Sequence, residues 1–498
     1  MVEWFVLEPL FRIFYGTTFT EGRKEASNMF WLPVDRSLDL PLITQVYLEI
    51  RKRILQKHLK PGEKLPSTRA LATELAVSRN VILEAYDQLL AEGFLITQQG
   101  AGTYVAEGAF LEQPRRTEKM PLLENQIQPI DKDMISFRSG VPALDFSPRK
   151  TWAKLAHNVW NEAPSEAFGY GMPEGRIELR EAIANYLLKT RGVDCSPEQI
   201  IITSGATQAL TLVAKLLLNQ AATAIMEDPI TEDIQTIFKT AGATIYPVPV
   251  DAYGMQTSLL PLHIDPKLIF LTPSHQFPIG GILPIQRRIQ LIAYAREKDC
   301  YLIEDDYDSE FRYEGPPIRS LQGLAPERVL YIGSFSKILT PALRMGYLVL
   351  PPQLIENCRK LKWFSDLHTP ALDQLILARF IAEGHLQRHI AKMKKIYKTR
   401  RDFLIRCLEK TFADRISIFG YSTGLHLMIA VKGIQLTKVV LERINKSGLE
   451  IYRAEDHAVV KGKHCDQLII GFGHLSEALI EEGVKRLYMA IFHNDTNK

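Results

Sequence analysis

The chain lacks the paired cysteines of a disulfide-bonded or zinc-binding protein. Its 498 residues include five cysteines, and no two of them form a CxxC pair. An odd and scattered set argues against a disulfide framework and fits a reducing cytoplasm, where we expect the protein to act. For the same reason no metal site is predicted.

Long apolar runs are absent as well. No window approaches the ~20 apolar residues of a transmembrane helix, so no membrane span is predicted. Glu3, Glu8 and Arg12 interrupt the apolar start, which argues against a signal peptide. Residues 1–34 are assigned to an N-terminal extension. Residues 1–28 are either a disordered extension or untranslated sequence upstream of Met29; the second interpretation is favoured because the recognisable pattern begins just after Met29.

A strong charge of one sign is also missing. The 60 Lys and Arg nearly balance the 57 Asp and Glu, which neither demands nor excludes a nucleic-acid partner. A length of 498 residues predicts at least two domains. The texture of the sequence divides the chain into a first domain at 35–106, a linker at 107–134 without a sustained period, and a large domain at 135–493.

The first domain has the pattern of a winged helix-turn-helix. "LPLITQVYLEIRKRILQKHL" is an amphipathic first helix, which Pro61-Gly62 is expected to end. A second helix opens at Pro66-Ser67. The third runs from Ser78, a plausible N-cap, to Gly93. "LITQQGAGTYVA" then predicts two short strands with a glycine-containing tip, which form the wing.

The start of the third helix carries side chains suited to DNA. A helix that enters the major groove presents its first turn to base edges, and that turn is Ser78, Arg79 and Asn80. Arg79 can donate two hydrogen bonds to a guanine edge. Arg69, ten residues earlier, is placed to bind a phosphate. The alternative is a helical domain for protein contacts, with Arg79 in a surface salt bridge.

The order of these elements resembles a known family. "PGEKLPSTRALATELAVSRNVILEAYDQLLAEGFL", followed by "GAGTYV", resembles the DNA-binding domain of GntR-family bacterial repressors. The resemblance implies binding to a double-stranded DNA operator. It also implies that Arg69, Ser78, Arg79, Asn80 and the wing residues Gln99 and Gly100 contact that DNA.

The large domain alternates short β-rich runs with longer helical patterns. The clearest runs are 200–203, 268–271, 301–304 and 329–332, each followed by a turn or a glycine-containing stretch. Alternating βα units predict a mainly parallel sheet flanked by helices, an α/β fold.

One stretch of this domain, "GSFSKILTPALRMG", has the residues of a site for a phosphorylated aldehyde. Lys337 supplies an amine for a Schiff base, Ser334 and Ser336 can bond phosphate oxygens, and Arg344 is a fixed-charge phosphate partner. In isolation Lys337 could instead be a surface lysine.

Two further stretches supply the rest of a pyridoxal 5′-phosphate site. In "YLIEDDYDSEF", Asp305 at the end of a strand can face the pyridine nitrogen, and Tyr307 can hydrogen-bond the phenolic oxygen. In "IIITSGATQAL", a turn opens a helix whose N–H groups make an anion cradle. Its residues are Ser204, Gly205, Ala206 and Thr207. A solvated acidic turn and an ordinary strand–helix loop are the alternatives.

A fourth stretch, "FGYGMPEGRIELREAI", completes the pattern. In order and spacing, the four resemble fold-type I pyridoxal-phosphate enzymes of the aspartate-aminotransferase class. With the first domain, the chain resembles MocR-type regulators, in which a GntR winged helix is fused to an aminotransferase-like domain. The resemblance implies cofactor binding by Lys337, Asp305 and Tyr307. It also implies that Tyr170 reaches the phosphate of the neighbouring subunit of a homodimer.

The sequence departs from working aminotransferases at three places. Thr231 stands where a tyrosine stacks on the cofactor, and Ile469 where an arginine clamps the substrate carboxylate. Phe277 replaces the asparagine of an Asn-Pro-x-Gly turn. Without the arginine, an amino acid is poorly oriented, so at most vestigial transamination is expected. Either the effector is an amine without that carboxylate, or another cation such as Arg453 or Lys461 holds the carboxylate, or the cofactor itself is the signal.

Three functions therefore stay open at this stage. The first is a cytoplasmic transcription regulator that senses pyridoxal phosphate, or an amine or amino acid that reacts with it. The second is a pyridoxal-phosphate-dependent aminotransferase with an accessory DNA-binding module. The third is a repressor that has lost its cofactor. The intact set of Lys337, Asp305, Tyr307 and Arg344 favours the first over the third.

Overall fold

The computed structural model describes residues 32–109 and 133–492. The predicted residues 1–31 of the extension and most of the predicted linker lie outside these ranges. The chain divides into two compact units, residues 1–127 and 128–498, and each is described by itself. Within the described ranges, no helix combines the length and the apolar character needed to cross a lipid bilayer.

The helices and strands of both units are numbered together in chain order, and they alternate through most of the second unit. The helices are α1 Leu42–Leu55, α2 Thr68–Glu74, α3 Arg79–Ala91, α4 Arg149–Glu162, α5 Ile177–Arg191, α6 Ala206–Leu217, α7 Glu232–Thr240, α8 Ile285–Glu297, α9 Pro352–Asp366, α10 Ala371–Ala382, α11 His385–Phe412, α12 Lys438–Lys446, α13 Ala454–His457 and α14 Glu477–Phe492. The strands are β1 Leu95–Gln98, β2 Gly102–Val105, β3 Ile135–Ser136, β4 Ile200–Thr203, β5 Thr223–Asp228, β6 Thr244–Asp251, β7 Gly254–Met255, β8 Leu268–Leu271, β9 Tyr301–Asp306, β10 Val329–Ser334, β11 Gly346–Val349, β12 Ile416–Phe419, β13 His426–Val431, β14 Leu449–Glu450, β15 Tyr452–Arg453 and β16 Gln467–Gly471.

The first unit is a winged helix-turn-helix. The hydroxyl groups of Ser67 and Ser78 accept hydrogen bonds from the N–H groups of Ala70 and Val81, so these serines cap α2 and α3 as predicted. Strands β1 and β2 pair antiparallel and form the wing. The first helix ends earlier than predicted, at Leu55 rather than at Pro61-Gly62. Lys57 adopts a left-handed conformation with φ of 61°, which turns the chain out of the helix before the proline is reached.

The second unit is built on an eight-stranded, mainly parallel sheet. Its strand order is β4-β11-β10-β9-β8-β5-β6-β7. The four consecutive pairs from β10 to β6 are parallel, whereas β11 runs antiparallel to both of its neighbours. The predicted strands at 200–203 and 268–271 have the observed bounds, and those at 301 and 329 extend two residues further. Continuous apolar runs are typical of strands buried on both faces.

A smaller four-stranded sheet, in the order β12-β13-β16-β15, forms from the C-terminal third of the unit. Strand β3 pairs in parallel with β14 beside it. In the large sheet, β4, β9 and β10 all run in the same direction, because β11 is antiparallel to both β10 and β4. Their carboxyl ends therefore meet at one edge, the usual ligand-binding edge of an open α/β sheet.

Candidate cofactor site and nucleic-acid interface

The structure brings three of the four predicted stretches together at this edge. Asp305 pairs with Ile332 between β9 and β10, and Ser334 pairs with Gly346 between β10 and β11. Gly346 in turn pairs with Thr203, the residue before the Ser204-Gly205 turn. The ends of three strands thus place Asp305, Ser334 and Ser204 on neighbouring positions of one rim.

Lys337 lies in the first turn after β10 and is half-buried. Its Nζ lies close to the backbone of Gly140, where an added Cβ would be 2.9 Å from it, and the φ of 68° at Gly140 favours glycine at this position. Burial lowers the pKa of the Lys337 ammonium. The charges of Arg138 and Arg344 lower it further, while those of Asp308 and Asp305 raise it. A lowered pKa leaves more of the amine neutral, the form that attacks an aldehyde.

The predicted phosphate cradle has the geometry of an anion site. Gly205 precedes α6 with φ of 94°, and a Cβ there would lie 3.0 Å from Arg344 Nη2. The same Nη2 donates to the Ser204 carbonyl at 2.8 Å. Ala206 and Thr207 form the first turn of α6, whose N–H groups and positive dipole end favour an anion. The glycine and the guanidinium therefore fit a phosphate group at this helix terminus.

The serine pair of the lysine stretch lies on the same rim. The Ser336 N–H donates to Ser334 Oγ at 3.2 Å, so the two hydroxyl-bearing residues are locked in one turn. Ser334 and Ser336 are both half-buried.

Asp305 is buried at the end of β9. Burial, together with the charges of Asp306 and Asp308, raises the pKa of Asp305 to about 7. A cationic partner would stabilise its ionised form, and the protonated ring nitrogen of pyridoxal phosphate is such a partner. The Asp306 carboxylate, in contrast, already accepts hydrogen bonds from Arg191 Nε at 2.7 Å and from the Tyr331 hydroxyl.

Tyr307 lies against His275 rather than alone in the cleft. Its hydroxyl donates to the His275 carbonyl at 3.0 Å and lies 3.0 Å from His275 Nδ1. Asp308 Oδ1 is 2.9 Å from the same Nδ1. Burial raises the pKa of Tyr307 well above its ordinary value, so the phenol stays protonated. Its single proton would have to turn from the His275 carbonyl to be donated to an anionic oxygen.

His275, Asp308 and His426 form a buried cluster beside Tyr307, and no sequence motif predicted a role for it. The His275 and His426 rings stack with centroids 4.8 Å apart. Burial lowers the pKa of His426 to about 3, so its neutral ring donates through Nε2 to the Pro278 carbonyl at 2.9 Å. The string "TPSHQFPIGG" shows in the sequence that a histidine lies beside a turn. Its contact with Asp308, 33 residues away, depends on the tertiary fold and cannot be predicted from that string.

Thr231, Phe277 and Ile469, the predicted departures from aminotransferases, lie in three different parts of the second unit. Thr231 precedes α7, directly after β5. Phe277 packs edge-on against Tyr307 and His426, with ring centroids 6.4 and 5.3 Å apart. Ile469 is buried in the small sheet opposite Met428 and Tyr452. Tyr170 is 85% exposed and contacts the His368 ring edge-on at 6.3 Å.

In the first unit, the predicted DNA-contacting side chains are all exposed. Ser78 caps α3, Arg79 and Asn80 are its first two residues, and Arg79 Nε is 3.5 Å from Thr68 Oγ1 at the start of α2. Arg69 follows Thr68, and Gln99 and Gly100 form the wing tip between β1 and β2.

Lys64 is a further exposed cation of this unit that the motifs did not predict as a DNA contact. It forms an antiparallel bridge with Tyr104 of β2, and its Nζ lies 5.8 Å from the centre of the Tyr104 ring. Lys64 is exposed beside the wing, where a cation suits a phosphate.

Comparison with known families supports this division of the chain. The family described as "Bacterial regulatory proteins, gntR family" matches residues 42–105. The family described as "Aminotransferase class I and II" matches residues 132–462.

Two similar proteins match this chain across both of its units. A probable rhizopine catabolism regulatory protein, MocR of Rhizobium meliloti, is 35% identical over 412 residues, which cover 80% of this chain and 83% of that protein. The HTH-type pyridoxine biosynthesis transcriptional regulator PdxR of Corynebacterium glutamicum is 34% identical over 427 residues, which cover 84% of this chain and 91% of that protein.

Solved structures of aminotransferases share the fold of the second unit. A kynurenine aminotransferase of Pyrococcus horikoshii, solved in complex with PMP, matches with a TM-score of 0.67 and 29% identity over 76% of this chain and 95% of that one. LysN, an α-aminoadipate aminotransferase of Thermus thermophilus complexed with N-(5′-phosphopyridoxyl)-L-leucine, matches with a TM-score of 0.67 and 26% identity, covering 72% and 92%.

Proposed function

The chain belongs to the MocR-type regulators, in which a GntR-family DNA-binding domain is joined to a fold-type I aminotransferase domain with pyridoxal 5′-phosphate as its cofactor, and from this premise we propose that its regulation of transcription depends on the chemical state of Lys337. The observation that carries this proposal is the convergence of Lys337, Asp305 and the Arg344 phosphate cradle on one sheet edge.

Each residue of the site has a distinct proposed role toward the cofactor. Lys337 holds the aldehyde as a Schiff base, and Asp305 keeps the ring nitrogen protonated, while Tyr307 donates to the phenolic oxygen. The phosphate is held by Arg344, by Ser334 and Ser336, and by the cradle of Ser204, Gly205, Ala206 and Thr207. When bound, the cofactor supplies an electrophilic carbon that primary amines attack.

The proposed signal is the exchange of one amine for another. With the cofactor bound, an effector amine would take the place of Lys337 on it, and Lys337 would be released as a free amine that has accepted one proton from the effector nitrogen. Freed Lys337 changes the cleft, and a ligand alters DNA affinity only if it binds two conformations differently. The change reaches the winged helix through the linker. The setting is the cytoplasm, where the operator DNA is.

The experiment for this function is an operator-binding assay with the full chain. A binding site is first selected from a pool of random DNA duplexes. Affinity for that site is then measured without cofactor, with pyridoxal phosphate, and with pyridoxal phosphate plus candidate amines. An affinity that is the same in all three conditions would contradict the sensing function and leave only DNA binding.

An enzymatic function is the second candidate. The second unit shares its fold with working aminotransferases, and the Lys337 set is intact. Thr231 and Ile469 argue against it, because neither side chain can replace the stacking tyrosine or the carboxylate-binding arginine. Rapid single-turnover conversion of the cofactor by common amino acids would favour the enzyme over the regulator.

We infer a homodimer from exposed aromatic side chains. Tyr170 and Phe364 are 85% and 87% exposed, and Trp160 and Phe168 nearby contact each other with ring centroids 5.7 Å apart. Phe168 is two residues before Tyr170, whose ring contacts His368, four residues after Phe364 in the chain. Exposed aromatic groups on such neighbouring segments are typical of a protein interface. We propose that a second copy of the chain covers them and that Tyr170 reaches the partner's cofactor phosphate.

Phe364→Glu should therefore break the dimer. A carboxylate buried without a partner costs about 3–5 kcal/mol, enough to shift a micromolar dimer to monomer. Sedimentation of the variant should show half the wild-type mass. Leu262→Glu, which places the same charge at an exposed leucine outside this cluster, is the control and should leave the mass unchanged. A dimeric Phe364→Glu protein would place the interface elsewhere.

Asp305 predicts a pH-dependent stabilisation by the cofactor. In the free protein its pKa is raised from 3.8 to about 7, so between these values the folded state holds a proton that the unfolded chain has lost. Stability of the free protein therefore falls as pH rises through this window. A cationic ring nitrogen lets Asp305 ionise and removes the penalty. The rise in melting temperature on adding pyridoxal phosphate should be larger at about pH 7.5 than at about pH 5.

Asp305→Asn tests whether this carboxyl is the cause. The amide does not titrate, so the cofactor-induced rise should become nearly the same at both pH values. An unchanged difference in the asparagine variant would assign the effect to another group, such as Glu227, whose pKa burial also raises to about 7.

A further inference from the structure

Ile469, which by the resemblance stands where aminotransferases have their substrate-binding arginine, lies in surroundings that do not suit a cation. Ile469 is buried, and it packs with Ile279, Met428 and Ala454 in a small apolar cluster. A guanidinium in that cluster would lose its hydration without gaining a partner, which is costly. Any anion-binding group of the cleft must therefore lie on another segment.

The two cations that the sequence suggested as replacements already have partners. The Arg453 guanidinium pairs with the Asp456 carboxylate and donates to the Leu436 carbonyl at 2.8 Å. Lys461 Nζ donates to the Glu455 carbonyl at 2.9 Å. Both side chains serve the local structure around α13, so neither is poised for a ligand.

Arg138 lies on a segment that touches both the lysine and the strand of Ile469. The N–H of Gly471, two residues after Ile469, donates to the Phe137 carbonyl at 2.8 Å. A Cβ on Gly471 would lie 2.2 Å from the Arg138 carbonyl oxygen. On the other side, Gly140 packs against Lys337 Nζ. The Cα atoms of Arg138 and Gly140 can be at most about 7 Å apart.

The side chain of Arg138 is exposed to solvent. Its guanidinium forms neither a hydrogen bond nor an ion pair with any residue of the ranges 32–109 and 133–492. Its charge acts on Lys337, on Glu450 and on Tyr452, the residue opposite Ile469. Glu450 is engaged by the Tyr452 hydroxyl, whose oxygen lies 2.5 Å from Glu450 Oε1.

We propose that Arg138 is the anion-binding residue of the cleft and that the effector is an amine that also carries a carboxylate. The carboxylate binds the planar guanidinium of Arg138 with two charge-assisted hydrogen bonds, while the amino group lies at Lys337. This inference rests on the proposed function, in which an amine reacts at Lys337, and it identifies the second group by which that amine is recognised.

The test compares amines with and without the carboxylate. The full chain loaded with pyridoxal phosphate is titrated with 3-aminopropanoate against propylamine and with 5-aminopentanoate against pentylamine, and affinity is measured by calorimetry. In at least one pair the wild-type chain should prefer the carboxylated amine. With each chain first saturated with pyridoxal phosphate, Arg138→Gln should lower that preference about 10- to 100-fold. Arg138→Lys, which keeps the charge but not the planar pair of donors, should fall between the two.

Arg453→Gln is the matched control, since it neutralises a nearby cation that already has a partner, and it should keep the wild-type preference. The inference is overturned if Arg138→Gln keeps the preference, if Arg453→Gln alone removes it, or if the wild-type chain takes up cofactor yet binds both members of every pair equally. A wild-type chain that takes up no cofactor would overturn the proposed function and this inference together.

Discussion

Replacing Lys337 with alanine should abolish covalent attachment of pyridoxal phosphate. The wild-type chain, treated with borohydride, should carry one cofactor per chain, and the variant none, as measured by mass spectrometry of the intact protein. The reason is that the covalent bond needs a neutral amine. Burial and the charges of Arg138 and Arg344 lower the pKa of Lys337, so more of its amine is neutral. The visible absorbance of the bound cofactor should disappear with the bond.

An exposed lysine serves as the control for this experiment. Lys360 on α9 is paired with Glu356 at 3.8 Å, far along the chain from the cradle residues, and Lys360→Ala should bind cofactor like the wild type. The DNA response to pyridoxal phosphate should be lost in Lys337→Ala and kept in Lys360→Ala. A Lys337→Ala protein that still responds would mean that noncovalent binding of the cofactor is the signal.

Arg79→Ala should weaken sequence-specific DNA binding by about 1–3 kcal/mol for each winged helix in contact, which is roughly 5- to 150-fold. Arg79 is the first residue of α3, and its Nε is 3.5 Å from Thr68 Oγ1, at the limit of a hydrogen bond. The side chain is therefore available to a base edge. The measurement is fluorescence anisotropy with the selected site and with a random duplex of the same length.

Two further variants separate base contacts from phosphate contacts. Arg79→Lys keeps the charge but loses the two-pronged geometry, so it should lose specificity while binding to the random duplex changes little. Arg69→Ala should weaken binding to both duplexes about equally and reduce the slope of log affinity against log salt by about 1 for each winged helix. If Arg79→Ala weakened both duplexes equally, Arg79 would be a phosphate contact.

The sequence was sufficient for the elements that local patterns control. Ser67 and Ser78 cap their helices because a hydroxyl at that position satisfies a free N–H group, whatever the rest of the protein does. The strand at 268–271 has the predicted bounds because a buried parallel strand is a short apolar run between turns. The lysine stretch was recognisable for the same reason, since all its functional residues lie within twelve positions.

The sequence was insufficient wherever two distant segments meet. The first helix ends at Leu55 because Lys57 turns the chain, and nothing in the residue type of a lysine predicts a positive φ. The partner of Tyr307, His275, comes from a segment 32 residues away, and the backbone of Arg138 lies against Gly471, more than 300 residues away, where only a glycine leaves room for it. Such contacts depend on strand order and register, which a single sequence leaves open.

The contact between Gly140 and Lys337 also has a mechanical meaning. The backbone of Gly140 lies directly against the amine, and three residues earlier the Phe137 carbonyl is bonded to the end of the small sheet. When the amine moves, it therefore changes its contact with a segment that is hydrogen-bonded, only a few residues away, to the end of the small sheet.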